Sequence, residues 1–239
     1  MSAGTSIGRV RQLLTGRVQP YTRVGSHSAI DKQARSGPVA LGPLGLEGDE
    51  QGSPGVHGGP DKALHCYAWA QYAPWRAELA GHRLAQERLA RPGAFGENLS
   101  IDGLDEAGIT LGERWRIGSA LVEVSQGRQP CWKLDDRFGL PGMALRVQES
   151  LRCGWYLRVL EPGVMQAGNA IDLVARSHPG WSVARVLAAI ATRDCTPALM
   201  QALLELPLPP SWRKLFAQRL ESGTVEDWAP RLVGRLPPP

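Results

Sequence analysis

The chain has 239 residues, with 27 Lys and Arg against 23 Asp and Glu, giving a formal net charge of +4. That length buries a core without covalent staples, and the mild positive excess fits an anionic ligand. No Lys/Arg-rich run marks a nucleic-acid tail and no run of about 18 apolar residues marks a spanning helix, so neither partner class is expected.

The opening "MSAGTSIGRVRQLL" (1–14) lacks the apolar centre of a secretory leader, so a cytoplasmic location with no membrane partner is expected. "GRVQPY" (16–21) reads as the first strand. The Gly-rich "GLEGDEQGSPGVHGGPDKALHCY" (45–67) predicts a helix after "GGPD". Pro60 would sit in its first turn, where a missing N–H is tolerated. "ENLSID" (97–102), "RWRIG" (114–118), "ALVEVSQ" (120–126) and "AIDLVAR" (170–176) read as further strands, separated by turn residues.

From about residue 177 the apolar spacing becomes helical. Ser182 is placed to cap a helix with Val183, Val186, Leu187 and Ile190 on one face. Thr196-Pro197 starts a second, with Leu199, Leu203 and Leu206. Ser211 starts a third, with Trp212, Leu215, Phe216 and Leu220, ending at Gly223. The chain thus divides into a β-rich unit over 1–176 and a helical unit over 177–239. The helical unit is expected to be separable and to stand clear of any ligand.

Of the four cysteines, Cys66, Cys153 and Cys195 read as small hydrophobes. None pairs with another as CxxC, so the usual zinc patterns are absent. Cys131 differs. In "VSQGRQPCWKLDDRFG" (124–139) it follows a strand, with Arg128 and Lys133 close in sequence. Nearby cations favour the thiolate, the form that attacks electrophiles and binds soft metals. A reactive thiol and a buried one remain equally open on this ground. The Gly-rich stretch ending in His57, Lys62 and His65 can present N–H groups and charge to an anion. It also fits a plain capping turn. His57, His65, Asp49, Glu50 and Asp61 fit no standard metal spacing.

Together, "SAIDK" (28–32), "GLEGDEQ" (45–51), "VHGGPDKAL" (56–64), "FGENLS" (95–100) and "VSQGRQPCWKL" (124–134) resemble, in content and order, MOSC-domain proteins, relatives of the C-terminal domain of molybdenum cofactor sulfurase. With "GWYLRVLEPG" (154–163) and the helical tail, the chain is similar to the YiiM branch. The resemblance runs from about Arg17 to Gly234. It implies a mainly β, α+β architecture: a barrel-like MOSC β domain followed by a small C-terminal three-helix domain.

The resemblance also implies the molybdenum cofactor in its molybdopterin form, with a dithiolene and a terminal phosphate. The family's ligand cysteine falls on Cys131, as a thiolate for molybdenum. Ser28, Lys32, His57, Asp61, Lys62, Asn98 and Arg128 fall within matching motifs and become cofactor-pocket candidates. His57 or Glu97 would supply the proton as water leaves. The implied activity is reduction of N-hydroxylated small molecules, such as N-hydroxylaminopurine base analogues, to amines, a detoxification. No flavin or nicotinamide motif is visible, so electrons would come from a separate donor protein of the flavin-reductase kind. The alternative is a non-catalytic carrier of cofactor or sulfur. A DNA-binding role for Arg213, Lys214 and Arg219 lacks a helix-turn-helix pattern. The oligomeric state stays open, a dimer being one option. One departure stands out: Ser26-His27 replaces an expected Lys-Pro, so Lys32 or Arg35 would have to compensate.

Overall fold

The computed structural model describes residues 5–234 of the chain. Seven strands form the main sheet: β1 (Thr5–Thr15), β2 (Leu64–Ala68), β3 (Leu99–Asp102), β4 (Arg114–Ile117), β5 (Ala120–Gly127), β6 (Trp155–Glu161) and β7 (Ala170–Ala175). Their order is β7-β4-β5-β6-β2-β3-β1, and β1 pairs back onto β7, so the sheet closes as a barrel. Closure removes the free edges that invite aggregation. The barrel is mixed, because β2 and β3 pair in parallel through Cys66↔Leu99, Tyr67↔Ser100 and Ala68↔Ile101. A parallel pair needs a crossover. Here α1 (Tyr72–Glu78) and α2 (Arg83–Leu89) provide it.

The strands read from "ENLSID", "RWRIG", "ALVEVSQ" and "AIDLVAR" are β3, β4, β5 and β7, with ends shifted by a residue or two. Two expectations are corrected. "GRVQPY" contributes only the two-residue strand Gln19–Pro20, paired with His27–Ser28, and the long first strand lies before it. β1 was hidden because its register shifts between Ser6 and Gly8 and between Val10 and Gln12 break the two-residue alternation. The segment after "GGPD" is one tight turn, Pro60–Lys62, and then strand β2 rather than a helix. All five β2 residues are buried, so it shows no polar face.

After β5 the chain forms α3 (Lys133–Phe138) and α4 (Met143–Glu149). The C-terminal region holds α5 (Val183–Ala191), α6 (Pro197–Leu204), α7 (Pro210–Ser222) and a short turn of helix, Ala229–Leu232. Ser182 caps α5 as expected, its Oγ accepting the Arg185 N–H at 3.1 Å. Gly223 ends α7 at φ 64°, the left-handed geometry glycine adopts without strain. Val183, Val186, Leu187 and Ile190 are buried on one face, and Trp212 and Phe216 on another.

The helical region is not packed as a unit apart. Its buried side chains join Trp115, Trp155, Val124 and the other barrel residues in one apolar core. Leu187 lies directly over Gly127, where a Cβ would come within 2.7 Å of its side chain. Arg219 faces inward, and Arg213, though exposed, is engaged by the backbone beside it. Arg213 donates to the Leu204 and Leu206 carbonyls, and Arg219, 1% exposed, binds Glu226 and the Ala189 carbonyl. Among the described residues no helix is long and apolar enough to cross a membrane.

Candidate functional site

Strand ends and loops at one end of the barrel bring the candidate residues together. β5 stops at Gly127, which pairs with Trp155, and the next residues leave the sheet. Arg128 is tied back by its N–H to the Gly154 carbonyl at 2.9 Å. Cys131 sits three residues on, 8% exposed, between that anchor and α3.

An open cavity of about 600 Å³ lies before it, walled by Ser28, Lys32, Asp49, His57, Lys62, His65, Asn98, Arg128, Cys131, Lys133 and Tyr156, among others. A larger outer cleft of about 1150 Å³ shares His57, Lys62, Cys131, Lys133 and Tyr156 and opens past Trp132 and Arg231. Cys131 therefore stands where the two spaces meet. Gly96 lines the inner wall at φ 77°, and a Cβ there would strike Ile30 at 2.6 Å.

Cys131 Sγ is 3.6 Å from His57 Nε2. Burial, then Lys133, Arg128 and Lys62, pull the His57 pKa down to about 4. The imidazole is thus neutral near pH 7. It can pass a proton on, but it does not hold the extra one of an imidazolium. Lys133 donates from Nζ to the His27 carbonyl at 2.7 Å. This lysine, rather than Arg35, brings charge to the Ser26-His27 departure. Arg35 points to Thr15 and the Glu47 carbonyl. Lys32 is buried and paired with Asp49, and burial holds its pKa below the ordinary lysine value. Burial also lowers the pKa of Lys62, whose Nζ lies 6.0 Å from the Tyr156 ring centre.

Seven of the nine candidates line this cavity: Ser28, Lys32, His57, Lys62, Asn98, Arg128 and Cys131. Asn98 does so with its amide committed. Its Oδ1 accepts the His65 N–H at 3.1 Å, and its Nδ2 donates to Asp49 at 2.8 Å. Its part is to hold Asp49, and through it Lys32.

Two candidates lie elsewhere. Asp61 pairs with Arg158 at 2.9 Å, and its backbone carbonyl accepts the Ser125 hydroxyl at 2.6 Å. Glu97 is fully buried beside the barrel. It accepts the Tyr72 hydroxyl and the N–H groups of Gly93 (2.7 Å) and Phe95 (3.2 Å). A carboxylate engaged three times behind the wall is a brace for the 93–98 loop, so the proton-donor expectation for it is corrected. Its neighbours Gly96 and Asn98 face the cavity, and the adjacency misled. Cys66 is buried in β2, where burial and Glu97 raise its pKa well above normal.

Tyr156 was missed, and His65 was weighed only as a donor of the Gly-rich stretch and in a metal set of no standard spacing, yet both line the wall. They meet because β6 pairs with β2 in the register Tyr156↔His65. Only the pairing brings them to the wall, and neither strand was read from spacing.

The donor set suits an anionic, thiol-ligated group. Arg128 is 6% exposed, and its Nη1 has no hydrogen-bond partner among the described residues. An unpaired buried guanidinium N–H is costly and calls for an acceptor. Among the described residues no three His, Cys, Asp or Glu side chains cluster as a self-sufficient metal site. A metal held here by Cys131 would need to bring most of its ligands with it. A dithiolene cofactor does so, and the thiolate is a soft ligand matched to it.

A closed mixed barrel with a cysteine and a histidine at a cationic cavity is the architecture of a MOSC domain. A MOSC domain model matches residues 53–172, and a model of the YiiM-like 3-alpha helix domain matches residues 181–223. The chain is 38% identical over 226 residues to Protein YiiM of Escherichia coli, covering 92% of this chain and 96% of that one. It is 35% identical over 218 residues to a protein named Reductase from Gibberella moniliformis, covering 90% of this chain but 38% of that longer one. The crystal structure of Escherichia coli YiiM superposes with a TM-score of 0.78 at 33% identity, covering 94% of this chain and 98% of that one. The chain belongs to the MOSC-domain family, in its YiiM-like branch.

Proposed function

We propose that this chain is a molybdenum-cofactor-dependent reductase that converts N-hydroxylated small molecules to amines. The observation that carries the reading is the position of Cys131, between a cation-lined inner cavity and an open outer cleft, with His57 against its sulfur. Cys131 would hold the metal, and Arg128 and Lys62 would hold anionic oxygens of the cofactor by charge-assisted hydrogen bonds. When bound, the cofactor supplies the two electrons that, with two protons, turn R–NHOH into R–NH2 and water.

The chain's own residues orient the substrate and manage the protons. His57 Nε2 lies where a proton can be relayed to a leaving oxygen above Cys131. Tyr156 and Trp132 wall the outer cleft and limit water at the reacting atoms. The name carried by the Gibberella relative is consistent with reductive chemistry. A separate electron-donor protein would supply the electrons from solution.

The alternative is a carrier that binds the cofactor through the same cysteine and hands it on. Turnover of an N-hydroxylated substrate with an artificial low-potential donor separates the two. The reductase reading expects amine formation by the cofactor-loaded chain and none by a loaded Cys131→Ser variant. A loaded parent that yields no amine, yet transfers cofactor to an acceptor protein, would establish the carrier.

A further inference from the structure

The loop bearing Cys131 is held from outside the barrel. Arg231, in the short C-terminal helix, grips it on both sides of the cysteine. Its Nη1 donates to the Pro130 carbonyl at 2.5 Å, and its own carbonyl accepts the Trp132 N–H at 2.9 Å. The grip is itself anchored, because Nη2 donates to Gln148 Oε1 of α4 at 2.6 Å. Arg23 completes the strap. Its guanidinium stacks 3.9 Å from the Trp132 ring centre and donates to the Val233 carbonyl at 2.6 Å. Gly234 packs against both partners, where a Cβ would come within 2.6 Å of Arg23 Nη1 and 2.9 Å of Trp132 Cδ1. Arg231 also lines the outer cleft beside Cys131.

We propose that Arg231 is a positioning residue: together with residues 228–234 it sets where the Cys131 sulfur stands between cavity and cleft. Among the described residues the last barrel anchor before the cysteine is the Arg128 N–H; beyond it His57 meets the sulfur and the Leu134 N–H meets the Cys131 carbonyl at 2.9 Å, while Pro130 and Trp132 on either side are held by Arg231. Both neighbours of Cys131 have their backbone groups bound to one residue a hundred positions away. A planar guanidinium reaches Pro130 and Gln148 at once, whereas a lysine ammonium, a point donor on a flexible stem, does not fix the same geometry. The C-terminal region therefore contributes to the candidate site, contrary to the expectation that it stands clear. The link to catalysis rests on the reductase reading, whereas the grip itself does not.

The test uses the full chain and three substitutions, Arg231→Lys, Arg231→Ala and Gln148→Met. The last removes only the anchor of the arginine. Amide hydrogen exchange of the peptide spanning 128–134 is the first readout, with the β4 and β5 peptides as controls. Loss of one or two hydrogen bonds should speed exchange in 128–134 about tenfold and leave the controls unchanged. Arg231→Lys should fall between parent and Arg231→Ala. In cofactor-loaded protein, kcat should drop about tenfold or more while KM and pterin content stay near parental, because a misplaced reacting group costs rate rather than binding. Unchanged exchange in 128–134 for all three variants would overturn the proposal. So would exchange rising equally in the controls, which marks general loosening. A loaded parent without reductase activity would defeat the functional reading alone, and the exchange result would still decide the grip.

Discussion

Glu106 should make the protein less stable as pH rises through neutrality. It is 3% exposed, accepts the Gly154 N–H at 2.7 Å, and forms no salt bridge among the described residues. Burial raises its pKa from 4.5 to about 7, although the Gly154 bond opposes the shift. The sign follows from proton counting: between those values the folded chain binds a proton that the unfolded chain has released. Stability from this group is full below pH 4.5, falls as pH rises, and is lowest above pH 7. At 1.36 kcal/mol per unit the loss reaches about 3 kcal/mol. Glu106→Gln keeps an oxygen for Gly154 and removes the charge. Thermal melts of parent and variant from pH 4.5 to 8.5 should coincide at the acid end and separate above. The variant should melt roughly 6–12 °C higher at pH 8 for a chain of this size. The site should sense the change too, because the Gly154 carbonyl anchors the Arg128 N–H. Parallel curves, or a parent that gains on the variant with rising pH, would refute the reasoning.

His57 should titrate near pH 4 in the cofactor-free protein by NMR. Its depressed pKa means stability is full above pH 6.5 and declines as pH falls toward 4, and an anion bound among Lys62, Arg128 and Lys133 should move the midpoint up. Lys62→Ala should weaken cofactor retention roughly ten- to a hundredfold in dialysis against a competing acceptor, with little change in melting temperature. Glu97→Ala should cost about 3 kcal/mol or more in urea unfolding, since it leaves buried donors unpaired. A Glu97→Ala chain that melts normally but is catalytically dead would restore Glu97 as an acid.

What the sequence disclosed follows its local physics. The barrel strands with clear alternation or turn punctuation were legible, as were the capped helices after residue 177. β1 was not, because bulges disguise its period, and β2 was not, because a strand buried on both faces has no polar rhythm. Cys131, His57 and Lys62 were legible as chemistry within recognisable stretches. Glu97 was misplaced because adjacent residues on an extended segment face opposite ways. Tyr156 enters only through its cross-strand pairing with His65, and the hold of Asn98 on Asp49 likewise joins residues that no local window contains. The Arg231 grip spans about a hundred residues and leaves no local pattern at all.

The seam that closes the barrel also sets an order of events during synthesis. β1 is made first, yet its partners β3 and β7 lie roughly 90 and 160 residues later. At ribosomal speeds β1 waits on the order of ten to thirty seconds before Thr5 can meet Leu173. During that interval its hydrogen-bonding edges are open to wrong partners, and the bulges that hid it from the sequence reading shield it, since a kinked edge templates poorly. The candidate site must form later still. The pocket wall is complete only when β7 has sealed the barrel, and the cysteine loop settles only when residue 231 has left the ribosome. The Cys131 thiol therefore takes its place only after the barrel seam and the Arg231 grip have both formed, long after the strand that opens the seam.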